Sequence, residues 1–268
     1  MLARARKCLA CMLLIGCGTA GIVPSAGAGS GPSDDAQLGR LVVPAVIMET
    51  DRRAAPGREL RARHGATGLV RCGAAIGTAQ LTLRNDVITT AAHVLLAPDG
   101  RPRAGCVFEP LAGGGRERIA IDTRSIRSGS RVPLSAPATR DWAVARLVRP
   151  VQGAIPYGLV SEGAAPGSVV MLAAGNKQAA IWGAERCVCR NVMNAREGIR
   201  EFAIDCNAGP GSSGAALLGG GRNIVAIYVG FRSADPGRAQ VFSPAHYNFA
   251  ITVEGPFRRA LLAAATGR

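Results

Sequence analysis

Residues 206–218 read CNAGPGSSGAALL, and one of the two serines in this stretch has a setting the other lacks. Ser213 is followed directly by Gly214 and preceded two positions back by Gly211, whereas Ser212 has neither glycine. Gly211 permits a tight turn that aims its own N–H and that of Ser213 at one point, where an oxyanion can sit. A serine hydroxyl is a poor nucleophile at neutral pH. It needs an imidazole to take its proton, and the imidazole needs a carboxylate to fix its tautomer and stabilise its transient charge.

Working outward, two upstream stretches supply those groups: ITTAAHVL around His93 and RDWAVARL around Asp141. Chain order is thus His, Asp, Ser, and each residue stands where a strand pattern meets a loop, so the side chains can project into a shared cleft. His64, in an arginine-rich loop, and His246, near the C-terminus, have no comparable setting; Asp122 and Asp205 lack the apolar strand pattern that follows Asp141. An α/β-hydrolase order, Ser213 then Asp235 then His246, fails on spacing. Gly219-Gly220-Gly221 follows the serine where a helix should run, and too little chain separates Ser213 from His246 for the βα units.

The rest of the chain reads as all-β. From about Leu41 onward, short apolar runs recur between turn signals, among them TGLVRCGAAIGTAQLTL, RIAIDT, GSVVMLAAG, EFAIDC, NIVAIYVG and HYNFAIT. Their alternation and β-branched content predict antiparallel strands. With 48% apolar and 19% charged residues over 268 positions, whole-chain disorder is excluded, and 35 Gly and 16 Pro argue against long helices. The one helix predicted is PFRRALLAAA, Pro256 to Ala265, with proline in its first turn and Gly267 past its end. Beyond the N-terminus no run reaches the roughly eighteen apolar residues of a membrane-spanning helix.

Residues 1–28 have a basic start (Arg4, Arg6, Lys7), an apolar run from Cys8 and a small-residue end at Ala26-Gly27-Ala28, the pattern of a secretory signal. Residues 29–39 read as a flexible leader and 40–268 as the working domain, with a junction between two halves near 150. Leu14-Ile15-Gly16-Cys17 also resembles the lipobox of bacterial lipoproteins, so soluble export and a lipid anchor at Cys17 both stand as readings. Export permits disulfides. Five cysteines follow the signal; the expected pairs are Cys72 with Cys106, and Cys206 with either Cys187 or Cys189. A zinc site from the C-x-C with His64 or His246 lacks a second paired motif, so no metal is expected. The net charge of +14 is nearly all arginine, dispersed and not interleaved with aromatics, which argues against a nucleic-acid partner.

Taken together, Thr90 to His93, Asp141 to Leu147 and Gly211 to Gly214 match T-A-A-H, D-x-A-x-x-x-L and G-x-S-G, and the sequence resembles the chymotrypsin-like (trypsin-fold) serine peptidases, particularly the exported bacterial branch that includes the glutamyl endopeptidases. The resemblance covers about Gly68 to Ala265. It implies two six-stranded antiparallel β-barrels with a C-terminal helix, and a monomeric peptidase needing no cofactor. The roles it implies are His93 as base, Asp141 as orienting acid, Ser213 as nucleophile and the N–H groups of Gly211 and Ser213 as oxyanion donors, acting on a protein or peptide substrate. The rival reading is an inactive relative used for binding, which would normally have lost one of the three groups; none is missing here.

Four positions depart from the pattern. Ser212 stands where animal members carry the Asp that receives a newly cut N-terminus, Ala215-Ala216 replaces a frequent glycine-proline, and Val94 replaces the cysteine after the histidine. The pocket walls implied by the resemblance are the segment before the nucleophile, with Asn207 and Ala208, and the strand Tyr228, Val229, Gly230 and Phe231. Neither contains a carboxylate to bind Arg or Lys, and Tyr228 occupies the place of the histidine of glutamyl-specific members, so small or medium uncharged side chains are expected.

Overall fold

The computed structural model describes residues 47–54, 57–111, 117–160, 165–174, 182–236 and 238–267. The expected signal at 1–28, the expected leader at 29–39 and Cys17 lie outside the described residues.

After a short helix α1 (Arg58–Arg63), six strands form one closed barrel: β1 (Thr67–Cys72), β2 (Ala75–Leu81), β3 (Val87–Thr90), β4 (Val107–Pro110), β5 (Ile119–Ser128) and β6 (Ala143–Leu147), in the spatial order β1-β2-β3-β6-β5-β4. The one-turn helix α2 (Ala92–Leu95) follows β3. Closure leaves no unpaired edge, and the row Val70, Ala79, Leu81, Ile88, Phe108, Ile119 and Ala145, which the register places on one face of the barrel wall, is buried. The β1–β2 hairpin turns through Gly73 at φ +59°, with Cys72 opposite Ala75. Cys72 bonds Cys106, just before β4, as expected.

The chain then crosses to a second sheet containing β7 (Gly158–Leu159), β8 (Gly167–Ala174), β9 (Trp182–Arg196), β10 (Ile199–Ile204), β11 (Ala216–Leu218), β12 (Asn223–Ser233) and β13 (His246–Thr252). Its order is β11-β8-β9-β10-β13-β12-β7, with β11 also paired to β12. This differs from the six strands expected: β7 is an extra two-residue strand, held parallel to the start of β12. The chain ends in α3 (Gly255–Thr266), with Pro256 in the first turn and Gly267 as a left-handed cap at φ +77° whose N–H donates to the Ala263 carbonyl.

Register settles the choice between the two cysteines of the C-x-C. Cys189 lies opposite Ile204, which puts Cys187 beside Cys206, and those two are bonded. Cys189 stays a buried free thiol, and burial pushes its pKa up to about 12, with Asp205 adding to the rise. With Cys187 in a disulfide, the zinc reading loses its thiolate pair. No group of three or more His, Cys, Asp or Glu among the described residues is placed to hold a metal, and no described helix is long and apolar enough to cross a membrane.

Candidate active site

β3 and β6 are neighbours in the first barrel, with Thr90 opposite Ala143, so the residue that opens β6 and the turn that follows β3 meet at one barrel end. Thr90, Ala91 and Ala92 are fully buried and fix the path into α2, which presents His93. Asp141 follows a 3-10 turn at Ala138–Arg140. One of its carboxylate oxygens accepts the backbone N–H of His93 at 3.0 Å, and the other faces His93 Nδ1 at 2.6 Å. An ionised carboxylate only accepts hydrogen bonds, so Nδ1 carries the proton and Nε2 keeps a free lone pair. The Asp141 side chain is 9% exposed and that of His93 22%, so the acid is shielded while the imidazole reaches solvent. Trp142, next in sequence, stacks on Phe257 of α3 with centroids 5.0 Å apart and planes 10° from parallel. The C-terminal helix thereby braces the acid.

The Asn207–Gly214 loop arrives from the second sheet. Ser212 is 3% exposed, and its hydroxyl accepts the Gly209 N–H at 3.0 Å while its own N–H donates to the Gly209 carbonyl at 2.9 Å. That hydroxyl is committed to the turn. The Ser213 hydroxyl makes no hydrogen bond to a described residue and the residue is partly exposed, which separates the two serines as their glycine contexts did. Gly211 has φ +94° and Gly214 φ +84°, both left-handed. A Cβ at Gly214 would collide with Thr90 Oγ1, the Thr78 carbonyl and the Ala91 N, so the loop lies directly against the segment that leads to His93. Among the described residues, neither the Gly211 nor the Ser213 N–H has a chain acceptor, whereas the Gly209, Ser212, Gly214 and Ala215 N–H groups all do.

The expected pocket walls are more enclosed than their sequence indicated. Asn207 is fully buried: Oδ1 accepts the Met48 N–H at 2.7 Å, and Nδ2 donates to the Thr50 carbonyl at 3.0 Å and to Glu185 Oε1 at 2.9 Å. Ala208 is fully buried, Tyr228 is 5% exposed with its hydroxyl donating to Asn248 Oδ1 at 3.2 Å, and Val229 is 6% exposed. Burial raises the Tyr228 phenol above its ordinary range. Gly230 and Phe231 are the partly exposed members of that wall. Asp205 is taken by Arg190, at 2.7 Å and 3.0 Å, and by the Val188 N–H, so it offers no charge to a substrate. His246 lies in β13, bonded to Ser233 Oγ and the Ile47 carbonyl, and His64 packs near Tyr157; neither joins His93.

One set of residues had no signal in the sequence. The segment Ile47–Ala54 straps the Asn207–Gly214 loop: Met48 and Thr50 bond Asn207, Arg52 donates to Glu185 at 3.0 Å and to the Asp205 carbonyl at 3.1 Å, and Arg53 packs against Gly209. Glu185, 3% exposed, is the hub, accepting also from the Asn207 N–H at 2.8 Å; burial raises its pKa against the pull of those donors.

No protein-family model and no curated protein matches the chain. Solved structures do. A Glu endopeptidase in complex with MPD superposes with a TM-score of 0.61 at 13% identity, over 82% of this chain and all of that one. Neuropsin, a serine protease expressed in the limbic system of mouse brain, gives 0.56 at 12% identity over 81% and 99%. Rv3671c from M. tuberculosis, in an inactive form, gives 0.53 at 15% over 83% and 97%. The chain has the trypsin-like serine protease fold. A trypsin-like fold carries its own architecture here with 12–15% of residues shared with these structures, so the likeness speaks to the backbone. What this trypsin-like chain does rests on its own side chains.

Proposed function

We propose that the chain is an exported serine endopeptidase, in which His93, Asp141 and Ser213 hydrolyse peptide bonds through an acyl-enzyme. The observation that carries this reading is the two-point hold of Asp141 on His93, which leaves Nε2 as a proton acceptor. In this mechanism Ser213 Oγ attacks the scissile carbonyl carbon as Nε2 takes the hydroxyl proton. The Gly211 and Ser213 N–H groups receive the oxyanion. His93 returns the proton to the departing amine as the C–N bond breaks, leaving an ester on Ser213. Water then adds to that ester with His93 again as base, and the acid product leaves with the serine hydroxyl restored.

Six strands of the second sheet, β8 to β13, form a closed ring of pairings through β11–β12, and we read that ring as the second barrel of the fold. Export rests on residues 1–28. For substrate choice, the polar atoms of Asn207 and Tyr228 are occupied by the chain itself, which supports a neutral pocket accepting small or medium uncharged side chains. The test is cleavage-site profiling of the purified mature protein on a peptide library, with His93→Ala alongside. Cleavage after small neutral residues, lost in His93→Ala, agrees with the reading; full activity in His93→Ala sinks the mechanism, and dominant cleavage after Arg, Lys or Glu sinks the pocket assignment alone.

A further inference from the structure

The two N–H groups assigned to the oxyanion belong to a loop rich in glycine, and such a loop needs something to stop its peptide planes from turning over. Each plane can be followed in turn. The plane between Gly211 and Ser212 has its N–H on the Gly209 carbonyl at 2.9 Å and its C=O on Thr78 Oγ1 at 2.7 Å. The plane between Ser212 and Ser213 has its C=O on the Ala215 N–H at 2.8 Å, which turns the Ser213 N–H the opposite way. The plane between Ser213 and Gly214 has its C=O on the Thr78 N–H at 2.8 Å and its N–H on the Tyr228 carbonyl at 2.7 Å. The plane between Pro210 and Gly211, which carries the other oxyanion donor, has no hydrogen bond to the described chain. It joins the rest of the loop through Gly211, at a φ only glycine takes up readily, and the far side of Gly211 is held by the Thr78 hydroxyl.

We infer that Thr78 is a positioning residue: its hydroxyl and its N–H together clamp the C=O groups of Gly211 and Ser213 so that both oxyanion donors face the reacting carbonyl. Thr78 is fully buried in β2, in the first barrel, and its own carbonyl accepts the Thr90 hydroxyl at 2.7 Å. Thr90 lies three residues before His93. One threonine therefore ties the nucleophile loop to the histidine turn across the boundary between the two sheets, joining the two halves of the proposed machinery. The inference rests on the peptidase reading above, and it assigns the clamp to a side chain that touches no substrate.

The test compares Thr78→Val, which keeps the branched shape and removes the hydroxyl, with Thr78→Ser, which keeps the hydroxyl, in the full chain. The readouts are kcat and KM on p-nitrophenyl butyrate, the rate of labelling by a fluorophosphonate, and thermal unfolding. Loss of one oxyanion donor outright lowers kcat by roughly 10²- to 10³-fold; a loosened pair should lose about 10- to 100-fold in kcat with KM little changed. Thr78→Ser should stay within about threefold of wild type, a rescue that bulk packing at this site would not give. If Thr78→Val is poorly folded, Thr78→Ala at a temperature below its unfolding transition decides in its place. Wild-type kcat in a folded variant without the hydroxyl overturns the clamp, as does an equal loss in Thr78→Ser. Failure of the wild-type protein itself to label or hydrolyse would instead overturn the peptidase reading, so the two failures are distinct.

Discussion

Asp141→Asn isolates what the carboxylate does for His93, because the amide has nearly the same size and one of its two atoms is now a donor. The native oxygens receive two donors, the His93 backbone N–H at 3.0 Å and Nδ1–H at 2.6 Å. An asparagine can satisfy only one. With its oxygen toward the backbone N–H, its NH₂ faces Nδ1, so the ring must turn its lone pair there and carry the proton on Nε2, where it cannot serve as a base. With the amide flipped, Nδ1–H is accepted but the NH₂ is pushed against the backbone N–H, a donor–donor contact in a site where the acid is 9% exposed. The first orientation strains nothing and should dominate. The expected consequence is the wrong tautomer in nearly every molecule, and a fall in kcat of about 10⁴-fold, or about 5 kcal/mol of transition-state stabilisation. Stability should drop by only about 1 kcal/mol, since one hydrogen bond is exchanged for another. Initial rates on p-nitrophenyl butyrate at neutral pH, with circular dichroism melts of both proteins, measure the two effects separately. A loss below tenfold in a well-folded Asp141→Asn would refute the argument that this carboxylate sets the imidazole's tautomer.

Other consequences follow from groups around the site. Burial, reinforced by Arg222 and Arg63, lowers the His64 pKa from 6.5 to about 4, so the unfolded chain takes up that proton first. The stabilisation is complete above pH 6.5 and is lost as pH falls toward 4; urea midpoints at pH 7 and pH 4.5 should show a steeper decline for wild type than for His64→Gln. Asn207→Asp should fail to create a preference for Arg or Lys, because the new carboxylate would lie against Glu185, now 2.9 Å from the amide; a lowered melting temperature with unchanged cleavage sites is expected from library profiling. Replacing both Cys187 and Cys206 by serine should cost about 3 kcal/mol, while Cys189→Ala should leave the native linkage intact, as read by denaturant melts and mapping of non-reduced peptides. An added residue at the N-terminus of a mature protein should leave the rate unchanged, since Ser212, bonded to Gly209, has no carboxylate to pair with an ammonium; a sharp fall in rate would contradict this.

Local chemistry singled out the histidine, aspartate and serine segments by their neighbours, glycines around Ser213, a strand after Asp141 and small residues before His93, and of these the structure pairs His93 with Asp141. The C-terminal helix was readable for the same reason, from Pro256 at its start and Gly267 at its end. Four features were not. The partner of Cys206 depends on register between β9 and β10, and an alternating strand puts Cys187 and Cys189 on one face, so composition alone does not choose. The buried state of Asn207 comes from Met48, Thr50 and Glu185, residues far away in sequence with no pattern of their own. Thr78 reads as an ordinary β-branched strand residue, and its role emerges only when the second sheet lays the nucleophile loop across it. The seventh strand of the second sheet, two residues long, is too short to carry any alternation.

The most direct test of the central claim is covalent labelling of the purified mature protein by a fluorophosphonate, followed by mass mapping of the modified peptide. The account predicts a single adduct on Ser213, stoichiometric in wild type, absent in Ser213→Ala and strongly slowed in His93→Ala. An adduct on Ser212, or no adduct on a folded wild-type protein that carries the His93–Asp141 pair, would contradict it.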